Sequence, residues 1–218
     1  MHPILIVIDN LQDWKAYSPS DNVVSVQDYL SQDERYKLPN THVINLCRSY
    51  KYLSNGYYCS LLAEARNHKV IPSVRSINDL SNKSLYSLDI DDLNQILEKL
   101  LQNRQIDSDL LTVKLFFGEA DIPELEHLGR QIYEIFSCPI LNVSLKRRGH
   151  WIIDSIKPAW LNSLSEQEED LFAAALKNLI AQYGVNPACQ KKFAMIWRYL
   201  LTLTKSYHPV TKRPRRNL

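Results

Sequence analysis

The sequence predicts an α/β fold: a mixed, mainly parallel sheet of about five or six strands with flanking helices, a late antiparallel hairpin and a C-terminal helix. Three observations carry this. The apolar, largely β-branched run His2–Ile8 reads as a strand buried on both faces, as parallel strands are. The stretch Asn45–Val74 reads as a strand end, a polar aromatic loop, a helix and a second strand, which is the repeating unit of an α/β chain. Ile140–Leu145 and Trp151–Pro158 flank Lys146-Arg147-Arg148-Gly149-His150, a hairpin signal that adds an antiparallel pair.

The elements follow in chain order. His2–Ile8 is expected to be central or nearly so. Residues 10–40 are polar, with a short helix over Ser25–Ser31, and Leu38-Pro39-Asn40 precedes a strand at His42–Leu46. A helix starts near Ser54. Lys69–Val74 reads as a strand interrupted by Pro72, which places it at an edge or a strand end. Ile90, Leu93, Ile96, Leu97, Leu100 and Leu101 recur near helical spacing, and Asp89, Asp91 and Asp92 suit the positive end of a helix dipole, so a helix runs from about Asp89 to Asn103. Leu110–Phe117 is a second strong strand, stopped by Gly118. Leu125, Leu128, Ile132, Ile135 and Phe136 form the stripe of a helix over Glu124–Phe136, which Cys138-Pro139 ends. Ser165-Glu166-Gln167-Glu168 is a capping-box pattern opening a helix to about Tyr183, before Gly184.

Composition bounds the function classes. A chain of 218 residues buries roughly 70% of its unfolded surface and fits one large domain. No apolar run reaches the roughly 18 residues that span a bilayer, and PILIVI, followed at once by Asp9-Asn10 without a basic leader, reads as a strand and not as a signal peptide. Cys47, Cys59, Cys138 and Cys189 are widely spaced, with no CxxC and no histidine at zinc-ligand spacing, so a reduced, cytoplasmic protein without a metal site is expected. The five glycines, at 56, 118, 129, 149 and 184, form no Walker A loop and no dinucleotide fingerprint, so nucleotide phosphates have no evident cradle.

The net charge of +2 averages two unlike parts. Residues 191–218 hold eight basic residues and no acid, which leaves 18 basic against 24 acidic groups in residues 1–190, a net of −6. A domain over 1–190 and a basic tail over 191–218 are therefore expected. Nucleic-acid binding rests wholly on that tail and is not expected of the domain.

The chemical candidates cluster at strand ends, where open α/β sheets bind ligands. Arg48, Ser49 and Tyr50 follow the strand His42–Leu46, Arg75 follows Lys69–Val74, and Glu119 follows Leu110–Phe117. Tyr57, Tyr58 and Glu64 lie on the intervening helix, with Tyr57, Leu61 and Glu64 sharing a face. An arginine beside tyrosine hydroxyls suits a carboxylate or phosphate, and a small-molecule site of Arg48, Tyr50, Tyr57, Tyr58 and Glu64 is one reading. The other reading is structural: the tyrosines are half-buried core residues, Arg48 pairs with Glu64, and Lys146–Arg148 is a solvated hairpin tip. Cys47 beside Arg48 reads either as an activated thiol or, more simply, as an inert buried one.

Residues 49–74, SYKYLSNGYYCSLLAEARNHKVIPSV, together with KLFFGEAD and the helix E-L-x-x-L-x-R-Q-I-Y-E-x-F, resemble the RimK-like ATP-grasp N-terminal domain, the module that precedes an ATP-grasp ligase. The resemblance covers residues 1 to about 190. It implies an α/β domain that presents substrate to, or docks against, an ATP-dependent carboxylate–amine ligase, the substrate being a small carboxylate, an amino acid or a peptide. ATP and Mg²⁺ are implied for the ligase module only, and Arg48, Tyr50, Tyr57, Tyr58 and Glu64 are the positions that match the motif. The alternative is an independent small-molecule enzyme or carboxylate- or phosphate-binding domain using the same residues.

The resemblance stops near residue 190. Where the family continues with a strand like YDLAILVNP and a PPSD segment, this chain reads FAMIWRYLLTLTKSYHPVTKRPRRNL. Codons chosen for Ala194–Lys212 can be read two bases later as YDMAIFVDPDEKLPPSDK, so the tail from about Ala194 is expected to be an out-of-frame read. The coding DNA in the other frame is expected to continue into an ATP-grasp sequence; stop codons there would overturn this.

Overall fold

The computed structural model describes residues 3–183 apart from 16, 18–21, 32–37, 39, 83–86, 103–105 and 107, with the backbone alone described for 87–89. The basic tail therefore lies outside the described residues. Among those described, eight strands divide between two four-stranded sheets, one parallel and one antiparallel, with six α-helices packed on them. The α/β class, the late hairpin and the C-terminal helix are as the sequence predicts. The strands separate into two sheets because every pairing in the first half joins parallel strands, whereas every pairing from Leu110 onward is antiparallel.

The parallel sheet comprises β1 (Ile4–Ile8), β2 (Val23–Ser25), β3 (His42–Asn45) and β4 (Lys69–Ile71) in the order β2-β1-β3-β4. All residues of β1 and β3 are buried, as expected of strands covered on both faces. Alternation sends Leu5, Val7 and Val43 into one cluster with Val26, Tyr29, Cys59 and Ala63, from α1 (Val26–Leu30) and α2 (Asn55–Ala65). Ile4, Ile6, Ile8 and Ile44 pack with Phe172, Leu176 and Leu179 of α6 (Glu166–Gln182).

The strand expected over Lys69–Val74 ends at Ile71, on the sheet edge. Pro72 cannot extend the ladder, and Ser73 instead caps a helix, α3 (Val74–Ser81), accepting a hydrogen bond from the Ser76 amide at 3.0 Å. This helix is absent from the periodicity reading because only Ile77 and Leu80 mark its buried face.

The antiparallel sheet comprises β5 (Leu110–Phe116), β6 (Glu119–Ala120), β7 (Ile140–Arg148) and β8 (His150–Pro158), ordered β6-β5-β7-β8. The hairpin is tighter than predicted, closing at Gly149, whose φ of +80° is open to glycine. Arg147 at its tip pairs with Asp109 at 2.9 Å and lies over the Trp151 ring. One face of this sheet, through Val113, Leu115, Leu141, Val143 and Ile153, packs on Leu97 of α4 (Ser87–Leu101) and Leu128 and Ile132 of α5 (Glu126–Ile135). The other presents Phe116 and Ile140 to α6, where Lys114 also reaches Glu168 at 2.7 Å.

Helix α6 thus covers both sheets. Its predicted capping box is present, with Ser165 and Glu168 each bonding the other's amide. Its Phe172 is fully buried and meets the rings of Tyr17, Phe116 and Phe117 at centroid distances of 5.4, 6.3 and 5.6 Å.

Phe172→Ala is expected to cost about 3–5 kcal/mol in denaturant unfolding, whereas Ser165→Ala costs about 1 kcal/mol, because the first leaves a cavity between two sheets and the second frees one helix cap. Stability is also expected to fall as pH drops through the ordinary histidine range. His68 is buried, with Nδ1 3.0 Å from the Tyr29 hydroxyl, and burial, then the neighbouring Arg66 cation, lower its pKa from the ordinary 6.5. The unfolded chain therefore takes up the proton first, so stability is full above that value and is lost below it. His68→Gln is expected to flatten that part of the pH profile.

Candidate functional site

The end of β3 is held by one side chain. Asn45 is buried; its Nδ2 donates to the Gly56 carbonyl at 2.7 Å and to Ser60 Oγ at 2.9 Å, and its Oδ1 accepts from the Cys47 amide at 3.1 Å. Tyr50, also buried, donates its hydroxyl to the Asn45 carbonyl at 2.5 Å. Ser60 in turn donates to the Pro72 carbonyl at 2.7 Å, which ties α2 to the start of α3. Gly56 is required by close approach: a Cβ there would lie 2.3 Å from the Ser49 carbonyl and 2.9 Å from Cys47 Cβ. Ser54 closes the loop by donating to Ser49 O at 2.8 Å while capping α2.

The loop so fixed forms one wall of a cleft of about 520 Å³. Arg48 and Lys51 stand on this wall, and Lys157, at the end of β8, supplies a third cation. Ile77 and Leu80 of α3 and Trp160 give the cleft an apolar lining. Tyr50 stacks edge-on against Trp160 at 5.1 Å. The cleft therefore lies where the carboxyl ends of β3 and β8 meet, as the strand-end rule anticipates for an α/β sheet.

Arg48 does not pair with Glu64. Its Nε and Nη2 form a bidentate contact to Asp13 at 3.0 and 2.5 Å, and its amide donates to Asp9 at 2.5 Å. Glu64 points the other way and accepts from the Val74 amide at 2.8 Å, acting on the entry to α3. The spacing of Arg48 and Glu64 in sequence hid this, because Asp9 and Asp13 reach Arg48 only through the parallel pairing of β1 with β3.

The remaining candidates separate. Tyr57 is half-buried and Tyr58 exposed, and with Tyr52 they form a run of edge-on rings at 5.4 and 6.1 Å, outside the cleft. Arg75 is exposed and faces Asp79 one turn on. Cys47 is fully buried, and a hydrogen bond with Cys59 followed by burial pushes its thiol up, the opposite of an activated nucleophile. Glu119 lies in a second cavity, between α5, α6 and the turn after β5. Among the described residues no group of three or more His, Cys, Asp or Glu side chains could hold a metal ion, and no helix is long and apolar enough to cross a membrane.

Sequence reading missed Asp13, Lys51, Lys157 and Trp160. Lys51 sits inside the quoted motif, and Lys157 lies at the end of the predicted strand Trp151–Pro158 with Trp160 just beyond it, so the strand-end rule applied to the hairpin would have found them.

A family model described as the RimK-like ATPgrasp N-terminal domain matches residues 26–175, which include the whole loop, α2, α3, and the strand ends lining the cleft. No curated protein matches the chain.

Gly56→Ala is expected to cost roughly 1–3 kcal/mol in chemical denaturation, since the Ser49 carbonyl has no room to retreat. Asn45→Ala is expected to cost at least as much, because it leaves the buried Cys47 amide without its acceptor and removes the bonds that tie the Gly56 carbonyl and the Ser60 hydroxyl to β3.

Proposed function

Since the chain belongs to the RimK-like ATP-grasp N-terminal domain family, we propose that it is the accessory module of an ATP-dependent carboxylate–amine ligase and presents an anionic substrate from the Arg48–Trp160 cleft. The observation that carries this reading is the convergence of Arg48, Lys51 and Lys157 on an apolar lining of Ile77, Leu80 and Trp160. Cations at the rim hold a carboxylate, and the aliphatic and aromatic wall covers its organic body. Arg48 is held in place by Asp13, which takes its Nε and Nη2, while Lys51 and Lys157 have no ion-pair partner among the described residues and add positive charge.

Tyr52 and Leu53, which follow Lys51 directly, are 75% and 59% exposed. An exposed tyrosine next in sequence to a cleft-lining residue favours a partner module seated there, since aromatic side chains are enriched in interface cores. In this reading ATP and Mg²⁺ belong to that partner. The described glycines do not fit a phosphate loop: Gly118 sits in the two-residue turn between β5 and β6, Gly149 is the tip of the hairpin, Gly129 is inside α5, and Gly56, near the start of α2, is sealed against Ser49 O.

Aromatic and aliphatic monocarboxylates such as indole-3-acetate and hexanoate are expected to bind saturably in calorimetry. Lys51→Ala and Lys157→Ala should each weaken binding by about fivefold or more without changing the melting temperature. Equal binding by both variants would remove the cleft from the reading. Arg48→Ala is expected to lower stability as well, because it leaves Asp13 unpaired. The purified chain alone is expected to show no ATPase activity and no ATP-dependent thermal shift.

A further inference from the structure

The cavity that holds Glu119 is separate from the Arg48–Trp160 cleft and of a different chemical character. It measures about 390 Å³, within the range of small-ligand sites. Its charged lining is mixed: Glu119 and Glu134 face it together with Arg130, and Phe117, Leu179 and the ring of Tyr133 supply apolar wall. Glu119 is already oriented. Asn178 Nδ2 donates to its Oε1 at 2.9 Å, and Oε2 has no hydrogen-bond partner among the described residues. Arg130 is held through Nη2 by Glu126, one turn back on α5.

The wall itself is rigid. Gly118, with φ +91°, lies so close to α5 that a Cβ there would come within 2.9 Å of Tyr133 Cβ, and a Cβ on Gly129 would come within 2.7 Å of the Gly118 carbonyl. The turn bearing Glu119 is thus pressed onto the helix bearing Arg130 and Glu134, so the separation of the two backbones that carry the opposite charges is set by packing. Burial, with Tyr183 nearby, pushes the Tyr133 hydroxyl well above the ordinary tyrosine range, so it remains protonated.

A purely anionic ligand would meet two carboxylates here, and a purely cationic one would leave Arg130 Nε and Nη1, which have no acceptor among the described residues, unused beside it. We propose that this cavity binds a small zwitterion, an α-amino acid or the amino end of a peptide, with its ammonium against Glu119 and Glu134 and its carboxylate or carbonyl toward Arg130. Two carboxylates against one guanidinium make the ammonium the dominant recognition element. The inference does not depend on the anion cleft, whose cations lie on other elements.

Titration of the 218-residue protein with L-alanine and L-glutamate, followed by amide NMR, tests it. Saturable shifts are expected at Gly118, Glu119 and Gln182. N-acetyl-L-alanine, which lacks the ammonium, and methylamine, which lacks the carboxylate, should bind at least about tenfold more weakly, the ratio expected for losing one charge-assisted contact. Glu119→Gln should weaken alanine binding by about tenfold. Glu134→Gln, at an exposed position that the fold does not need, should do the same, while Lys157→Ala leaves it unchanged. No saturable shift with either amino acid overturns the proposal, as does methylamine binding as tightly as alanine, which would make this a simple cation site. Shifts that survive both carboxylate substitutions overturn it too.

Discussion

The hydrogen bonds of the buried Asn45 side chain set the geometry on which the rest of this protein depends. An asparagine at the last position of a buried strand must satisfy two N–H groups and an oxygen away from water. Here Gly56 O, Ser60 Oγ and the Cys47 amide do so, and Tyr50 adds a fourth bond to the Asn45 carbonyl. The effect is to bend the chain sharply at the end of β3, to press the first turn of α2 against that bend, and, through Ser60 and Pro72, to start α3 alongside. Loosening that side chain would move both walls of the cleft at once.

The division into two sheets is stable because one helix serves both. β1 offers Ile4, Ile6 and Ile8 to α6, and β5 and β7 offer Phe116 and Ile140 to the same helix. With Phe172 at the centre of this cluster, the parallel and antiparallel halves share a single buried aromatic hub. The consequence reaches the candidate sites. Lys157 and Trp160 stand beside Arg48 and Tyr50 only because the end of β8 is brought against the end of β3.

Net charge is a poor guide to what such a surface binds. The first 190 residues are acidic overall, yet the cleft gathers Arg48, Lys51 and Lys157, while the cavity at Glu119 gathers charges of both signs. Ligand choice follows the local field of a few groups beside a low-dielectric wall, and the average over the surface contributes little at that range. In the proposed reading, the separation of the two sites by sign gives one small domain complementary places for a carboxylate and for an amine.

Much of this was legible in the chain itself. Periodicity located β1, β3, β5, α4, α5, the hairpin and the capped helix α6, because each buries an unbroken apolar run or stripe, and residues 49–74 with KLFFGEAD and the helix after it pointed to the family. Helix α3 was not legible, since a cap and two apolar residues are too weak a pattern against Pro72. Nor was the true partner of Arg48: the choice between Glu64 and Asp13 depends on which strand lies beside β3. Local sequence determines what each segment forms, because hydrogen bonding and side-chain alternation act over a few residues. The grouping of Arg48, Lys51, Lys157 and Trp160 into one cleft was decided only by tertiary structure, because strand order and the shared α6 core bring together residues more than a hundred positions apart.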